Sequence, residues 1–437
     1  MNSLEYLLSF QRFGIKLGLD NINYLLDQIG NPHSRFRVIH ITGTNGKGSV
    51  AAFLSSVLEE KGFRVGRFIS PHLIDFSERI VVNDNPISRQ DIDELVEQIR
   101  PVVHAMQAEP KLGHPTFFEA VTAMAFSYFA RMRIDFGVIE VGMGGRYDST
   151  NVVNPCLCVI TNIHLEHCEY LGDTIEKIAV EKAGIIKPGV DVVSAADRPE
   201  ARQVIDQKAG ECGSAVFYLG RDFRVSSRRD RFPRQYIDFE GPWGSVRDIE
   251  LNLGGDFQAS NAALAVMGIE TLAKRGIIPS DESALRAGMA AARWPARLEK
   301  ILDSPMVLLD GAHNPSAMRA LADTIQSLFP GRRIILVVAI LSDKDSAECL
   351  RILRSVGSTI ILTQSTYERA LSAEKLLAVA DGIFENPLCE PSLAAAMRRA
   401  LSLCGHEEII LVAGSLFNVA EVKQFVENMN TKAVWHA

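Results

Sequence analysis

One stretch constrains this chain more than any other: Val38 to Val50, VIHITGTNGKGSV. Val38 to Ile41 is a short apolar run rich in β-branched residues and reads as a buried strand. Thr42 to Ser49 turns tightly, and Val50 to Lys61 has helical spacing. Strand, glycine loop and helix together make a cradle for phosphate. Glycine at 43, 46 and 48 lets the backbone approach an anion and aim N–H groups at it. The helix N-terminus adds its dipole. Lys47 has the reach to meet β- and γ-phosphates, and Ser49 offers a hydroxyl to phosphate or magnesium.

The stretch departs from the general phosphate-loop pattern in two places. Ile41 stands where a glycine is usual, and Gly48 stands where Ser or Thr directly follows the lysine. The plainer alternative is a Gly/Asn turn between strand and helix, but such a turn has little use for a lysine.

Composition narrows the class. The 437 residues are 47% hydrophobic and 23% charged, which suits a globular chain of two or three domains. The net charge of −7 and the lack of a long basic run argue against a nucleic-acid partner. No apolar run approaches the ~18 residues of a membrane helix. The start, MNSLEYLLSFQRFG, lacks a secretory pattern. The 7 cysteines are scattered without a CxxC pair, so the expectation is a reduced, cytoplasmic protein without zinc.

The chain reads as α/β throughout. Two helices are expected before residue 36. Strands are expected at Arg64–Ile69, Ile80–Val82, Asp135–Val141, Cys156–Ile163, Asp191–Ala195 and Ala215–Leu219. Helices fall between them, one capped by Ser88. Residues 221–251 alternate like a β-meander, and two helices follow. Strand–helix alternation restarts after Trp294-Pro295-Ala296-Arg297, with strands at Met306–Asp310, Arg333–Ile340, Thr359–Thr363 and Glu408–Ala413. This second set reads as a Rossmann-like unit. The expected boundaries are 1–296 and 297–437.

A phosphate loop calls for magnesium and its oxygen ligands. Glu140 ends the apolar strand VIEV, where an open α/β sheet places its ligands. It reads either as a metal or water-positioning group or as a buried acid paired with arginine. Ser70 ends another strand and by itself is an ordinary turn serine. His164, Glu166 and His167 cluster after a third strand, and one of them is a candidate ligand. Lys182 lies late in a helix, where a lysine complements the dipole.

In order along the chain stand TGTNGKGS, SPHLIDFSERI, TFFE, EVGMGGRYDSTN, the run from Glu166 to Gly189, WPARLE, LDGAHNP and SDKD. This ordered set resembles the folylpolyglutamate synthases, which include bifunctional dihydrofolate synthases and belong to the Mur ligase superfamily. The likeness spans Leu17 to about Phe417. It implies a Mur-ligase-like P-loop central domain, then a smaller Rossmann-like α/β C-terminal domain. It also implies an ATP-dependent amide ligase: a substrate carboxylate becomes an acyl phosphate, and the amine of L-glutamate displaces phosphate. Two anions must be held together in line, which suits Lys47 and Mg2+.

By the same resemblance, Gly46, Lys47, Gly48 and Ser49 bind ATP phosphates, and Ser70, Glu140 and His167 are magnesium ligands. Lys182 corresponds to a lysine that is carbamylated in relatives, which turns a repelling ammonium into an anionic oxygen pair. Lys47, Glu140, His167 and Lys182 form the implied catalytic set. Asn261, Arg297, Asp310 and His313 are implied nucleotide contacts, the last three from the second domain, with closure bringing Arg297 and Asp310 onto ATP. Gly18, Leu19, Asp20, Arg79, Thr116, Phe117, Phe118, Glu119, Tyr147, Asp148 and Ser149 are the implied pterin-site residues. Without the resemblance, Thr116 and Phe118 read equally as a helix start with a core aromatic.

Three departures stand out. Glu166-His167 replaces the family's usual Asp-His, WPAR replaces WPGR through Ala296, and Tyr147 often corresponds to leucine. The resemblance favours a bifunctional enzyme acting on dihydropteroate, reduced folates and L-glutamate, as a monomer. A monofunctional folylpolyglutamate synthase is the near alternative and a cell-wall Mur ligase a weaker one. A P-loop switch or DNA motor is the different-class alternative, but a GTPase would want an NKxD reader and the chain has no Asn-Lys pair.

Overall fold

The computed structural model of the chain describes every residue except 1, 15, 110, 111, 230, 231, 406 and 435–437. Its first sheet is built from β1 (Arg37–Thr42), β2 (Val65–Phe68), β3 (Ile80–Val82), β4 (Asn85–Pro86), β5 (Phe136–Glu140), β6 (Leu157–Ile160), β7 (Val192–Ser194) and β8 (Val216–Tyr218). The order is β4-β3-β2-β5-β1-β6-β7-β8. β2, β5, β1, β6, β7 and β8 run parallel, with β3 and β4 antiparallel at one edge. Strands covered on both faces need apolar residues at nearly every position. β1 is buried at every position but Arg37, with Val38, Ile39 and Ile41 apolar and His40 and Thr42 as buried polar exceptions.

This order positions a site. Parallel strands deliver their C-terminal ends to one edge, so the loops after β2, β5, β1 and β6 emerge side by side. Ligands of open α/β sheets sit at such an edge, where neighbouring connections diverge.

Helices α1 (Ser3–Leu8), α2 (Asp20–Gln28), α3 (Lys47–Glu60), α4 (Arg89–Met106) and α5 (Phe117–Arg131) come in the first half. A core of Leu25, Phe68, Val96, Ile99, Phe126 and Phe129 joins the sheet to α2, α4 and α5. α6 (Cys168–Leu171), α7 (Ile175–Ala183) and α8 (Pro199–Cys212) follow, and a second core around Ile160, Ile178, Val192 and Ile205 fixes α7 and α8. β9 (Arg224–Arg229), β10 (Gln235–Gly241) and β11 (Gly244–Leu251) make the expected meander, in the order β11-β10-β9. α9 (Asp256–Lys274) and α10 (Glu282–Ala291) come next. α10 packs on α3 at Gly288, where a Cβ would run into the Val57 backbone, and Ser56 Oγ donates to Gly288 O at 2.7 Å.

The chain divides into two compact units. One comprises Met1–Ser227, Ile237–Glu250 and Ala259–Ala292; the other comprises Arg228–Tyr236, Leu251–Gln258 and Arg293–Ala437. The second unit holds β12 (Glu299–Asp303), β13 (Met306–Leu309), β14 (Ile334–Val338), β15 (Thr359–Leu362), β16 (Leu388–Cys389) and β17 (Ile409–Ala413). Their order is β12-β13-β17-β14-β15-β16, parallel except for β12. Its helices are α11 (Pro315–Leu328), α12 (Ser346–Arg354), α13 (Ala373–Ala380), α14 (Leu393–Leu403) and α15 (Leu416–Val434). Leu321, Ile325, Leu336, Leu353, Leu362 and Leu411 form its core.

The expected strands and helices are present with shifts of a few residues at their ends. β4, β12, β16 and the single turn α6 are additions. β12 reads EKILD, with charges at both ends, and pairing to β13 makes it a strand, with an irregularity between Lys300 and Leu302. α3 begins at Lys47 rather than Val50, so the lysine, Gly48 and Ser49 are its first turn.

Candidate active site

The phosphate loop is pinned to both neighbouring loops. Thr42 Oγ1 donates to Gly144 O at 2.6 Å, in the glycine loop after β5. Asn45 N donates to Asn162 Oδ1 at 2.8 Å, and His164 N donates to Thr44 Oγ1 at 3.1 Å, both in the loop after β6. Close approach requires glycine: a Cβ on Gly43 would fall inside the Thr161 side chain, and one on Gly46 would run into the Asn261 amide. Asn261, on α9, therefore lies against the loop. Lys47 Nζ donates back to Gly43 O at 2.9 Å and Thr44 O at 3.1 Å.

The residues read as metal ligands stand on this same sheet edge. Ser70 lies just beyond β2, Glu140 is the last residue of β5 and is buried, and His167 follows β6 with a left-handed φ of 48° before α6. Ser49 is buried in the first turn of α3. The donors are mostly hard oxygens, the preference of Mg2+. Among the described residues no three His, Cys, Asp or Glu side chains group as a metal cluster. A Ser-rich set with one carboxylate and one imidazole suits an ion that keeps waters and binds substrate phosphates.

Lys182 is 1% exposed, and its Nζ donates to Glu166 Oε1 at 2.6 Å. This contact, more than a helix-end dipole, accounts for its placement. Burial pushes the Glu166 carboxyl up, but Lys182 and then Lys47 outweigh it and hold it at about 2. Burial pushes Lys182 down despite Glu166. The pair is a buried salt bridge whose lysine owes its charge to its partner. The sequence marks Glu166 as a candidate ligand and as a departure from the usual Asp-His pair, but not as the partner of Lys182.

The pterin-site candidates, distant in sequence, converge in the first unit. Thr116 and Glu119 form a capping box on α5: Glu119 N donates to Thr116 Oγ1 at 3.2 Å, and Thr116 N donates to Glu119 Oε2 at 2.6 Å. Asn21, beside Asp20 in the first turn of α2, reaches Glu119 Oε2 at 3.5 Å. Gly18 has φ 140°, and Leu19 precedes α2 and packs on the core. Arg79 is buried, stands 5.4 Å over the Phe117 ring and donates through Nε to His72 Nδ1 at 2.7 Å. His72 went unnoticed in the sequence, where only its loop was marked. Phe118 and Asp148 meet across Gly142, where a Cβ would sit 2.6 Å from Phe118 Cζ and 3.1 Å from Asp148 Oδ2. Asp148 and Ser149 are buried, whereas Tyr147 is exposed beside Arg146. Burial pushes the Asp148 carboxyl up against the donors Thr150, Met143 and Gly142.

In the second unit, Asp310 accepts from Leu298 N at 2.9 Å and Ala312 N at 2.8 Å. Burial pushes its carboxyl up, against the pull of Arg297. A Cβ on Gly311 would collide with Arg297, and His313 Nδ1 lies 2.9 Å from Gly311 O. Arg297, Asp310 and His313 therefore form one cluster. Ala296, the replacement for glycine, adopts φ 61°, a conformation that favours glycine.

Two family models match this chain: the Mur ligase middle domain over residues 41–268 and the Mur ligase glutamate ligase domain over 296–416. The dihydrofolate synthase/folylpolyglutamate synthase of Bacillus subtilis is 39% identical, across 94% of this chain and 96% of the relative. The chain belongs to the folylpolyglutamate synthase family of Mur ligases. Another family member, the folylpolyglutamate synthase of Lacticaseibacillus casei, is 36% identical across 97% of both chains. A structure of the Mycobacterium tuberculosis folylpolyglutamate synthase complexed with ADP and AMPPCP superposes with a TM-score of 0.90 at 34% identity, over 97% of this chain and 99% of that one. The family fold is thus a two-unit α/β architecture in this chain too. No helix among the described residues is long and apolar enough to cross a membrane.

Proposed function

We propose that this chain is an ATP-dependent carboxylate–amine ligase that adds L-glutamate to dihydropteroate, forming dihydrofolate, and to reduced folates, forming polyglutamates. The observation that carries this reading is its end-to-end likeness to a Bacillus subtilis enzyme named for both activities. The phosphate loop and the converging pterin-site candidates on one unit are in keeping with it.

In the proposed reaction, a substrate carboxylate oxygen attacks the γ-phosphorus of ATP and ADP leaves. The glutamate amine then attacks the acyl carbon, releases phosphate and loses a proton. Lys47 and the N–H groups of Gly46, Gly48 and Ser49 bind the phosphates, and Lys47 exchanges its loop carbonyls for phosphate oxygens. Ser49, Ser70, Glu140 and His167 would hold Mg2+, which neutralises phosphate charge when bound. Lys182 would be carbamylated once Glu166 releases its amine, to which it is now bonded. Asn261, Arg297, Asp310 and His313 contact the nucleotide. Gly18 to Asp20, Arg79, Thr116 to Glu119 and Tyr147 to Ser149 receive the pterin-bearing substrate, with Arg79 as its cation. Residues 1–296 carry the ATP and pterin sites and 297–437 the C-terminal ligase domain. The enzyme acts as a cytoplasmic monomer.

The test is ADP release with ATP, Mg2+ and L-glutamate, using either dihydropteroate or tetrahydrofolate, with products weighed by mass spectrometry. Glutamylated product from both acceptors is expected. Product from tetrahydrofolate alone would leave a monofunctional folylpolyglutamate synthase.

A further inference from the structure

His40 lies on β1, two residues before the strand ends, and is fully buried. Its Nε2 stands 2.9 Å from Thr150 Oγ1. The Thr150 hydroxyl donates to Asp148 Oδ1 at 2.5 Å, and Thr150 N donates to the same oxygen at 3.0 Å. Asp148 Oδ2 accepts from Met143 N at 3.0 Å. A threonine hydroxyl has a single proton. With that proton given to the carboxylate, Thr150 Oγ1 must accept from His40, which places the imidazole proton on Nε2. Nδ1 is then a bare lone pair, and it is indeed buried without a partner. Burial, with Lys187 nearby, keeps the ring neutral. The hydrogen bonds therefore run in one direction, from His40 through Thr150 to the Asp148 carboxylate.

This chain of bonds links two parts of the site. Its origin is the strand that feeds the phosphate loop. Its end is the carboxylate that shares the space over Gly142 with Phe118. Thr42, two residues beyond His40, holds Gly144 of the same glycine loop. A buried carboxylate without a fixed set of donors could choose among rotamers; three donors, one of them the hydroxyl that His40 backs, leave it one.

We infer that His40 is a positioning residue for the pterin-bearing substrate: through Thr150 it fixes the rotamer of Asp148. The inference rests on the proposal that Asp148 contacts that substrate. His40 itself, having no exposed atom, touches no ligand. A histidine that merely fills the core would be replaceable by an apolar side chain without kinetic effect on one substrate alone.

The experiment measures KM for dihydropteroate, for tetrahydrofolate and for ATP, together with kcat, in His40→Gln, His40→Leu, Thr150→Val, the Leu/Val double variant and Asp148→Ala. Gln carries an N–H as far from Cα as histidine Nε2, and it should keep near-wild-type KM values. Leu should raise KM for the pterin-bearing substrates about tenfold, in line with loss of one buried hydrogen bond, while KM for ATP stays within about twofold. Thr150→Val should match Leu, and the double variant should be no worse than Thr150→Val, because both break the same chain. Equal rises in KM for ATP and for the pterin-bearing substrates, or a Gln variant as impaired as Leu, would overturn the inference. If Asp148→Ala raises the KM for the pterin-bearing substrates and His40→Leu does not, only the role of His40 falls. If Asp148→Ala leaves that KM unchanged, the reading of Asp148 falls and takes His40 with it. Should His40→Leu fail to fold, His40→Met, an apolar match to Gln in length, replaces it, and Thr150→Ser against Thr150→Val tests the same link: only Ser should retain the wild-type KM.

Discussion

At the scale of single residues, the site depends on places where a side chain is forbidden. Gly43 has φ 142°, and a Cβ there would occupy the Thr161 side chain. Gly43→Ala should therefore cost about 2 kcal/mol or more, from backbone strain and overpacking together. Urea denaturation would measure that loss, and binding of a non-hydrolysable ATP analogue should weaken in parallel. A variant with unchanged stability would show that the loop tolerates the displacement. The glycines themselves are visible in TGTNGKGS. Their collision partners are not, because Thr161 and Asn261 lie far along the chain. The same holds for Lys182. Its place late in α7 is readable from sequence, but its burial against Glu166 depends on the loop after β6 folding over it. His40 shows the limit most clearly: nothing in its place on β1 singles it out, and Thr150 enters only by way of the fold.

At the scale of elements, boundary chemistry does most of the work. Thr116 caps α5, and Glu119 closes the box. The sequence offered two readings of Thr116, helix start or substrate site, and the structure shows the helix start in full. Thr116→Ala should cost about 1 kcal/mol of stability through the lost cap. If Thr116 serves substrate only by capping, Thr116→Ser should recover both stability and KM. Recovery of stability without recovery of KM would assign the threonine methyl a contact of its own. The P-loop helix teaches a complementary lesson. Apolar spacing placed its start at Val50, but α3 opens at Lys47. Glycine and lysine carry no apolar signal, so periodicity alone sees a helix late when its first turn is built for an anion.

At the scale of the whole molecule, a ligand that binds only the folded state must stabilise it. An ATP analogue with Mg2+ at 100 times its Kd should add about 2.7 kcal/mol. A thermal melt should register this as a rise in Tm in the wild type, and Lys47→Ala should lose most of the rise. A full rise in the variant would remove Lys47 from phosphate binding. The sequence by itself determined the α/β class, nearly every buried strand and the glycine loops, because strand burial and tight turns are local demands on local residues. Its ordered motifs also determined the family. Tertiary structure alone decided which loops share an edge. Strand order β2-β5-β1-β6 brings the phosphate loop and the loops bearing Ser70, Glu140 and His167 to one edge, although about 120 residues separate Lys47 from His167 in sequence. It likewise decided that β12 is a strand, that Glu166 meets Lys182 and that His40 meets Thr150. Such pairings arise from sheet register and long-range packing, where each partner's identity says little until both are brought within a few ångströms.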